Sequence, residues 1–277
     1  MLKPMRPLAV SALVAVNFLS FELAQQINGL EQIVSKEAIA LAEGNGSALL
    51  ALFSPDAVVF EVSETPDRLA GPPSATMGTH EQRQVFVQAL SARGPRSRRE
   101  ILETVVVGDL IAVTMRSSAA PDDTKSDHTL SVYRVRDGRV GDCWRLAEAQ
   151  GPSGDGGIIT AIRQFVDANN QGDAEAFLAH FSPDAKVFRP SDAAHGLADK
   201  LSERMSQLES RRTIITAVFA KGSPGQAQIV DILALGDLVV SHDRVTLPSG
   251  QVVNQMKIYR VRRGLITHDW TAYERPQ

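Results

Sequence analysis

Apolar residues recur at helical spacing near the start of the chain and again past its middle. Leu30, Ile33, Val34, Ala38 and Leu41 mark one amphipathic helix, and Ile158, Ile162, Phe165 and Val166 mark another. Gly44 and Gly172 stand where each helix must stop. A short second helix is predicted from about Ser47 and about Asp173, ending at a Ser-Pro-Asp turn. A strand follows over residues 57–62 and again over 185–189. Thr79 with Gln82 forms a capping box that opens a third helix through Val85, Phe86, Ala89 and Leu90. In the second half Leu197, Leu201, Met205 and Leu208 carry the matching pattern. Each remainder is rich in Val, Ile and Thr, broken by Gly-Asp, Pro-Ser-Gly and Asp-Gly turns, and reads as strands.

The two halves are one pattern repeated. Phe53-Ser54-Pro55-Asp56-Ala57 returns as Phe181-Ser182-Pro183-Asp184-Ala185, an offset of 128 residues, and Gly108-Asp109-Leu110 returns at the same offset as Gly236-Asp237-Leu238. Tyr133-Arg134-Val135-Arg136 returns as Tyr259-Arg260-Val261-Arg262 at an offset of 126, which Trp144 and Trp270 keep. The domain reading is therefore 27–149 and 158–277, joined by a Gly-rich linker over 150–157. Helices first and strands last imply an α+β layer in which three helices cover one face of a curved antiparallel sheet. Val132 and Ile258 keep the opposite sheet face apolar, and packing copy one against copy two would bury both at once, as an intrachain pseudo-dimer compatible with a monomer.

The halves also differ. From Phe60 to Gly78 is 18 residues against 8 from Phe188 to Gly196, so copy one is expected to carry about ten extra residues around Asp67 to Thr76, placed as a lid over its pocket. Copy two is expected to hold extra length near Lys221 to Gln226.

Composition narrows the partners. With 43% hydrophobic and 22% charged residues and a net charge of -3, the 277-residue chain has the balance of a globular protein and gives no sign of nucleic acid. The basic run Arg93, Arg96, Arg98 and Arg99 reads as a solvated element end. One cysteine, Cys143, rules out an intrachain disulfide, and no Cys/His spacing suggests a metal; no cofactor is expected. Residues 1–26 place Lys3 and Arg6 before an apolar stretch too short for a stable membrane span. That order leaves a signal peptide, an added N-terminal helix and an anchor open, with a periplasmic or secreted location against a cytoplasmic one.

The Phe-Ser-Pro-Asp-Ala turn into the first strand, the Gly-Asp turns and the closing Tyr-Arg-Val hairpin with its Asp-Trp resemble the nuclear transport factor 2-like superfamily, of SnoaL and ketosteroid isomerase type. The resemblance spans about residues 27–148 and 158–275. It implies a pocket between helices and curved sheet, and dimer-like packing through the outer sheet face. Carried over from the isomerase pattern, the general-base position falls on Glu61 and Arg189, the oxyanion-hole tyrosine on Glu37 and Phe165, and its partner acid on Ser131 and Lys257. Steroid isomerase chemistry as such is therefore not expected. SnoaL-like cyclases place an acid late in the sheet, near Asp269 or His268.

If strand alternation follows the family, Glu61, His128, Ser131, Tyr133 and Cys143 face inward in copy one, where a carboxylate and an imidazole could share acid and base roles. In copy two Arg189, Lys257, Tyr259 and Asp269 would converge beside Trp270, two cations and one carboxylate suited to an anionic ligand. The functional expectation is binding of a small apolar or carboxylate-bearing metabolite, with Glu61, His128 and Asp269 as candidate catalytic groups of an isomerase, cyclase or hydrolase. The alternative is a non-catalytic binding or assembly module with pockets filled by side chains.

Overall fold

The computed structural model describes residues 29–94, 98–118, 126–150 and 156–273; the N-terminal expectation for 1–26 and most of the linker reading lie outside the described residues. In the first domain α1 covers residues 29–43, followed by α2 (Gly46–Leu52), β1 (Phe53–Phe60), α3 (His80–Arg93), β2 (Arg98–Val107), β3 (Leu110–Ser118), β4 (Asp127–Arg136) and β5 (Arg139–Gln150). The second domain repeats the order with α4 (Gly156–Gln171), α5 (Ala174–Ala179), β6 (Phe181–Arg189), β7 (Lys200–Leu201), α6 (Glu203–Ser206), α7 (Leu208–Phe219), β8 (Gln226–Leu235), β9 (Leu238–Thr246), β10 (Val252–Arg262) and β11 (Leu265–Ala272). No helix among the described residues is long and apolar enough to cross a membrane.

Each sheet is antiparallel through four strands, and the first strand of each copy joins the edge parallel to the last, giving the orders β1-β5-β4-β3-β2 and β7-β6-β11-β10-β9-β8. Local chemistry fixes the joints. Asn45 and Asp173 cap α2 and α5 by accepting from Ala48 N and Ala176 N, and Thr79 and Gln82 complete the capping box of α3. The closing hairpins turn on Asp137-Gly138 and Arg263-Gly264, where both central residues have positive φ, the backbone that matches strand twist in a two-residue turn.

Three apolar cores result. One lies under the helices of the first domain, with Leu30, Val34, Leu49, Val59, Ile111 and Tyr133; a second lies in the same place in the other domain, with Ile162, Phe165, Ala185, Val239 and Tyr259. The third joins the domains. Val105, Ala112, Leu130, Val132 and Trp144 meet Phe188, Leu233, Val240, Ile258 and Trp270 across the outer sheet faces.

Contacts across this joint are reciprocal, as a twofold relation demands. Arg134 Nη2 donates to Gly196 O at 3.4 Å, and Arg260 Nη1 donates to Pro66 O. His195 Nδ1 meets Asp142 Oδ1 at 2.6 Å, and His268 Nε2 meets Asp67 Oδ1 at 3.1 Å. The loop after each first strand thus reaches over the other domain's sheet.

The expected insertion in copy one is not there. Arg83 is 1% exposed and donates to the carbonyls of Ala57, Met77, Ser54 and Pro55; Arg211, 0% exposed, donates to Ala185, Met205, Ser182 and Pro183. Every one of these residues is displaced by 128, so the two segments match without a gap, and aligning Gly78 with Gly196 was a false register. Residues 67–71 and 195–199 are equivalent loops at the domain joint, neither of them a lid. Accordingly the third helix of copy two is α7, preceded by the single turn α6, and Leu197 and Leu201 lie outside it.

Candidate functional site

In the first domain, alternation along β4 sends Ser131 and Tyr133 toward the helices, with Thr129 beside them, while Leu130 and Val132 face the other domain. A cavity of about 160 Å³ forms there, walled by Tyr133 and Cys143 and by Arg145 of β5, by Glu37 of α1 and Phe86 of α3, and by Arg99 of β2. Glu37 is 7% exposed, and its Oε2 has no hydrogen-bond partner. Burial pushes its carboxyl above the ordinary range; Arg99, the facing Tyr133 phenol and Arg145 pull the other way and do not cancel the effect. Burial, with Glu37 adjacent, likewise holds Tyr133 well above a normal phenol, so it stays a hydrogen-bond donor. Burial also drives the Cys143 thiol up, which makes it a wall rather than a nucleophile.

Two cations border this cavity on unequal terms. Arg145 Nη1 is bound to Glu61 Oε2 at 2.9 Å, a half-exposed pair at the mouth. Arg99 has no carboxylate within ion-pair distance among the described residues, and its Nε is buried without a partner. Glu148 lies at the exposed rim.

The second cavity, of about 200 Å³, lies in the equivalent place and has different chemistry. Lys257 Nζ donates to Asp269 Oδ1 and, at 2.7 Å, to Thr271 Oγ1. Tyr259 faces Asp243, which is 3% exposed and accepts from Ser241 Oγ at 2.7 Å. Burial raises the Asp243 carboxyl; Ser241 and Lys257 oppose that, and the Asp269 charge reinforces it. Phe165, Phe177 and Val245 supply the apolar wall.

The sequence-level set is therefore partly assembled. Ser131, Tyr133 and Cys143 share the first cavity, with Glu61 reaching it only through Arg145. His128 is not there: even-numbered positions of β4 point to the other face, and its Nε2 meets Ser126 Oγ at 3.2 Å. Lys257, Tyr259 and Asp269 share the second cavity, but Arg189 is exposed at the end of β6, paired through its backbone with Lys200. Trp270 is fully buried between the sheets, stacked on Phe188 at 5.5 Å. With Arg189 absent, Lys257 neutralised and Asp243 added, the second cavity holds two carboxylates and one ammonium, the reverse of the expected charge. Glu37, Arg99 and Asp243 were not selected from sequence. Glu37 and Asp243 sit at core positions of their elements, so a polar residue in an otherwise apolar stripe was the available signal. Among the described residues no group of His, Cys, Asp and Glu is placed to hold a metal.

Solved structures resemble single domains of the chain. IdmH from Streptomyces antibioticus, provisionally described as a polyketide cyclase, is 26% identical, with 41% of this chain and 89% of that one covered at a TM-score of 0.31. A cystatin-like protein of unknown function from Methylobium petroleophilum PM1 is 19% identical over 44% of this chain and 78% of its own, at 0.35. A protein from Burkholderia xenovorans LB400 described as NTF-2 like is 16% identical over 44% and 85%, at 0.33. No curated protein matches the chain. The model of the SnoaL-like domain matches twice, over residues 37–142 and 162–269, and together the matches span well over half of the sequence. The chain belongs to the SnoaL-like domain family and carries two of its domains in tandem.

Proposed function

We propose that the first-domain cavity binds a small carboxylate-bearing molecule and moves a proton on it without a cofactor. What carries the reading is Glu37 Oε2, a buried carboxyl oxygen without a partner on the wall of a cavity that also presents Arg99. An orphaned buried polar atom is costly, and a ligand group would satisfy it. Arg99 would attract the ligand's anionic end, and Arg145, held in place by Glu61, would flank it. Glu37, a buried carboxyl shifted upward by burial, can serve as a general acid or base toward a ligand in the cavity, and the Tyr133 hydroxyl can donate to an oxygen on which charge develops. Glu61 is thus a positioning residue in this reading. Asp269 keeps its proposed part only in the second cavity, as the carboxylate that neutralises Lys257.

The test is deuterium incorporation into levulinate, a small enolisable carboxylate, followed by proton NMR in heavy water. Wild type should accelerate exchange, and Glu37→Gln should lose about a hundredfold, the scale of general acid-base catalysis. Equal rates in Glu37→Gln and wild type would remove Glu37 from the chemistry. A second reading, a non-catalytic module, is favoured by the volumes: both domain cavities lie below the ~300–1,000 Å³ usual for ligand sites. Native mass spectrometry of protein purified from its own host separates the two, since a bare-chain mass supports the module.

A further inference from the structure

The polar contacts at the domain joint are of two kinds. One kind is the same from either side: Arg134 and Arg260 occupy equivalent positions, and each donates to a loop carbonyl of the other domain, Gly196 O at 3.4 Å and Pro66 O. A carbonyl carries no net charge and every loop offers one, so these contacts do not distinguish the copies. The other kind exchanges its partners. Asp142 of β5 pairs in register with Val58, and His268 of β11 with Lys186, so Asp142 and His268 are equivalent, as are Asp67 and His195 on the two loops. His195 Nδ1 meets Asp142 Oδ1 at 2.6 Å, and His268 Nε2 meets Asp67 Oδ1 at 3.1 Å, with the imidazole on the loop in one contact and on the strand in the other. The first domain therefore supplies both carboxylates and the second both imidazoles. Lys186, standing where the first domain has Val58, adds an ammonium bound to Asp67.

Burial gives this polarity its weight. Asp142 is 0% exposed and His268 7%. Arg134 at 3.2 Å, Arg136 and His195 surround Asp142, and Asp56 lies near His195; Asp67, Arg260, Lys186 and Asp184 surround His268. Two first domains set face to face in the same geometry would bring the Asp67 carboxylate of each against the buried Asp142 of the other. Two second domains would bring His195 against His268 and Lys186, with no carboxylate supplied by the loop. Like charges opposed across an interface suppress the wrong partner. We propose that the outer sheet face of each domain is keyed to an unlike partner: the acidic first-domain face accepts a SnoaL-like face bearing loop and strand imidazoles, and pairing with its own kind from a second copy of the chain is disfavoured. The inference concerns the joint alone and is independent of the cavity chemistry proposed above.

Substitutions in the full chain reproduce each like contact. His195→Asp sets a carboxylate against Asp142, as two first domains would, and His195→Asn is its neutral counterpart of the same shape. In urea unfolding followed by circular dichroism, His195→Asp should have a folding constant about thirtyfold below that of His195→Asn at pH 8. The gap should shrink to about threefold at pH 5, because one shared proton removes the repulsion. If His195→Asp is unfolded at pH 8, acidification to pH 5 should restore its native circular dichroism. Asp67→His sets an imidazole against His268 and Lys186, as two second domains would. Its deficit relative to Asp67→Asn should run the other way, growing to about fivefold at pH 5 as both rings take protons. Adding His268→Asp restores a pair of reversed polarity beside Arg260, and the double variant should recover to within about threefold of wild type at pH 7. Equal stability of His195→Asp and His195→Asn at pH 8, a deficit that acid leaves unchanged, or a double variant no more stable than Asp67→His alone would overturn the proposal.

Discussion

Replacing Arg83 by Met tests whether a buried guanidinium with no ion pair among the described residues holds its domain together. The methionine preserves the length of the stem but removes donors to Ala57 O at 2.6 Å, Met77 O at 3.2 Å, and Ser54 O and Pro55 O at 3.1 Å, and it removes the cation over the Phe53 ring at 5.5 Å. Ser54 and Pro55 lie in the irregular first half of β1, where pairing with β5 shifts register and Pro55 is exposed, so water can take the vacated place. Ala57 and Met77 are buried, and each abandoned carbonyl there costs ~1–3 kcal/mol. Against this stands relief from burying a charge. The net expectation is a loss of about 3 kcal/mol, or roughly 6–12 °C in Tm for a cooperative unit of this size. Arg83→Lys should recover little, because one ammonium cannot span four acceptors set for a fork. Since the third core is shared, Arg211→Met should lower the same single transition by a similar amount. Urea unfolding followed by circular dichroism reads both variants; a loss under about 1 kcal/mol with unchanged m-value would refute the assignment.

Glu37 sets a pH dependence of definite sign. Its folded carboxyl binds a proton more tightly than the unfolded one, so wild type loses stability as pH rises from about 4.5 toward the folded value, by at most ~1.4 kcal/mol per unit. Glu37→Gln has no such loss, and its stability relative to wild type should be flat below about pH 4.5 and climb above it until the folded carboxyl has ionised; urea midpoints that differ by a constant amount from pH 4 upward would contradict this. At Gly46 a methyl would lie 2.3 Å from Val87 O and 2.6 Å from Ser91 Oγ, so Gly46→Ala should cost about 2 kcal/mol by thermal melting, although Ala174 occupies the equivalent place in the second domain.

Most of the architecture could be read from spacing, because apolar periodicity and turn residues are local signals. The capping box and the Trp pair kept their register in three dimensions, whereas Phe-Ser-Pro-Asp-Ala, expected as a turn before the strand, lies within β1 and β6, where a register shift takes up its irregularity. Arg83 and Arg211 were passed over because what keeps a guanidinium inside is four carbonyls from distant segments, and backbone acceptors leave no mark on a sequence. The same blindness applies to His195, which nothing in the sequence ties to Asp142 of the other domain, its partner at 2.6 Å. In the cavities, strand alternation placed Ser131, Tyr133, Tyr259 and Asp269 correctly; it failed for His128, which has the parity of the opposite face. Arg189 failed because its strand ends there. Asp243 was missed because its importance comes from Tyr259 and Lys257, which reach it across the sheet.

The covalent tie between the domains matters most for their unlike interiors. A homodimer built from either half would carry one kind of chamber twice, and a mixture of separate halves would sort into like and unlike pairs. One polypeptide fixes the stoichiometry instead: every particle presents a guanidinium-bordered chamber and a carboxylate-bordered one in equal number, and each is free to diverge while the seam between them keeps its form.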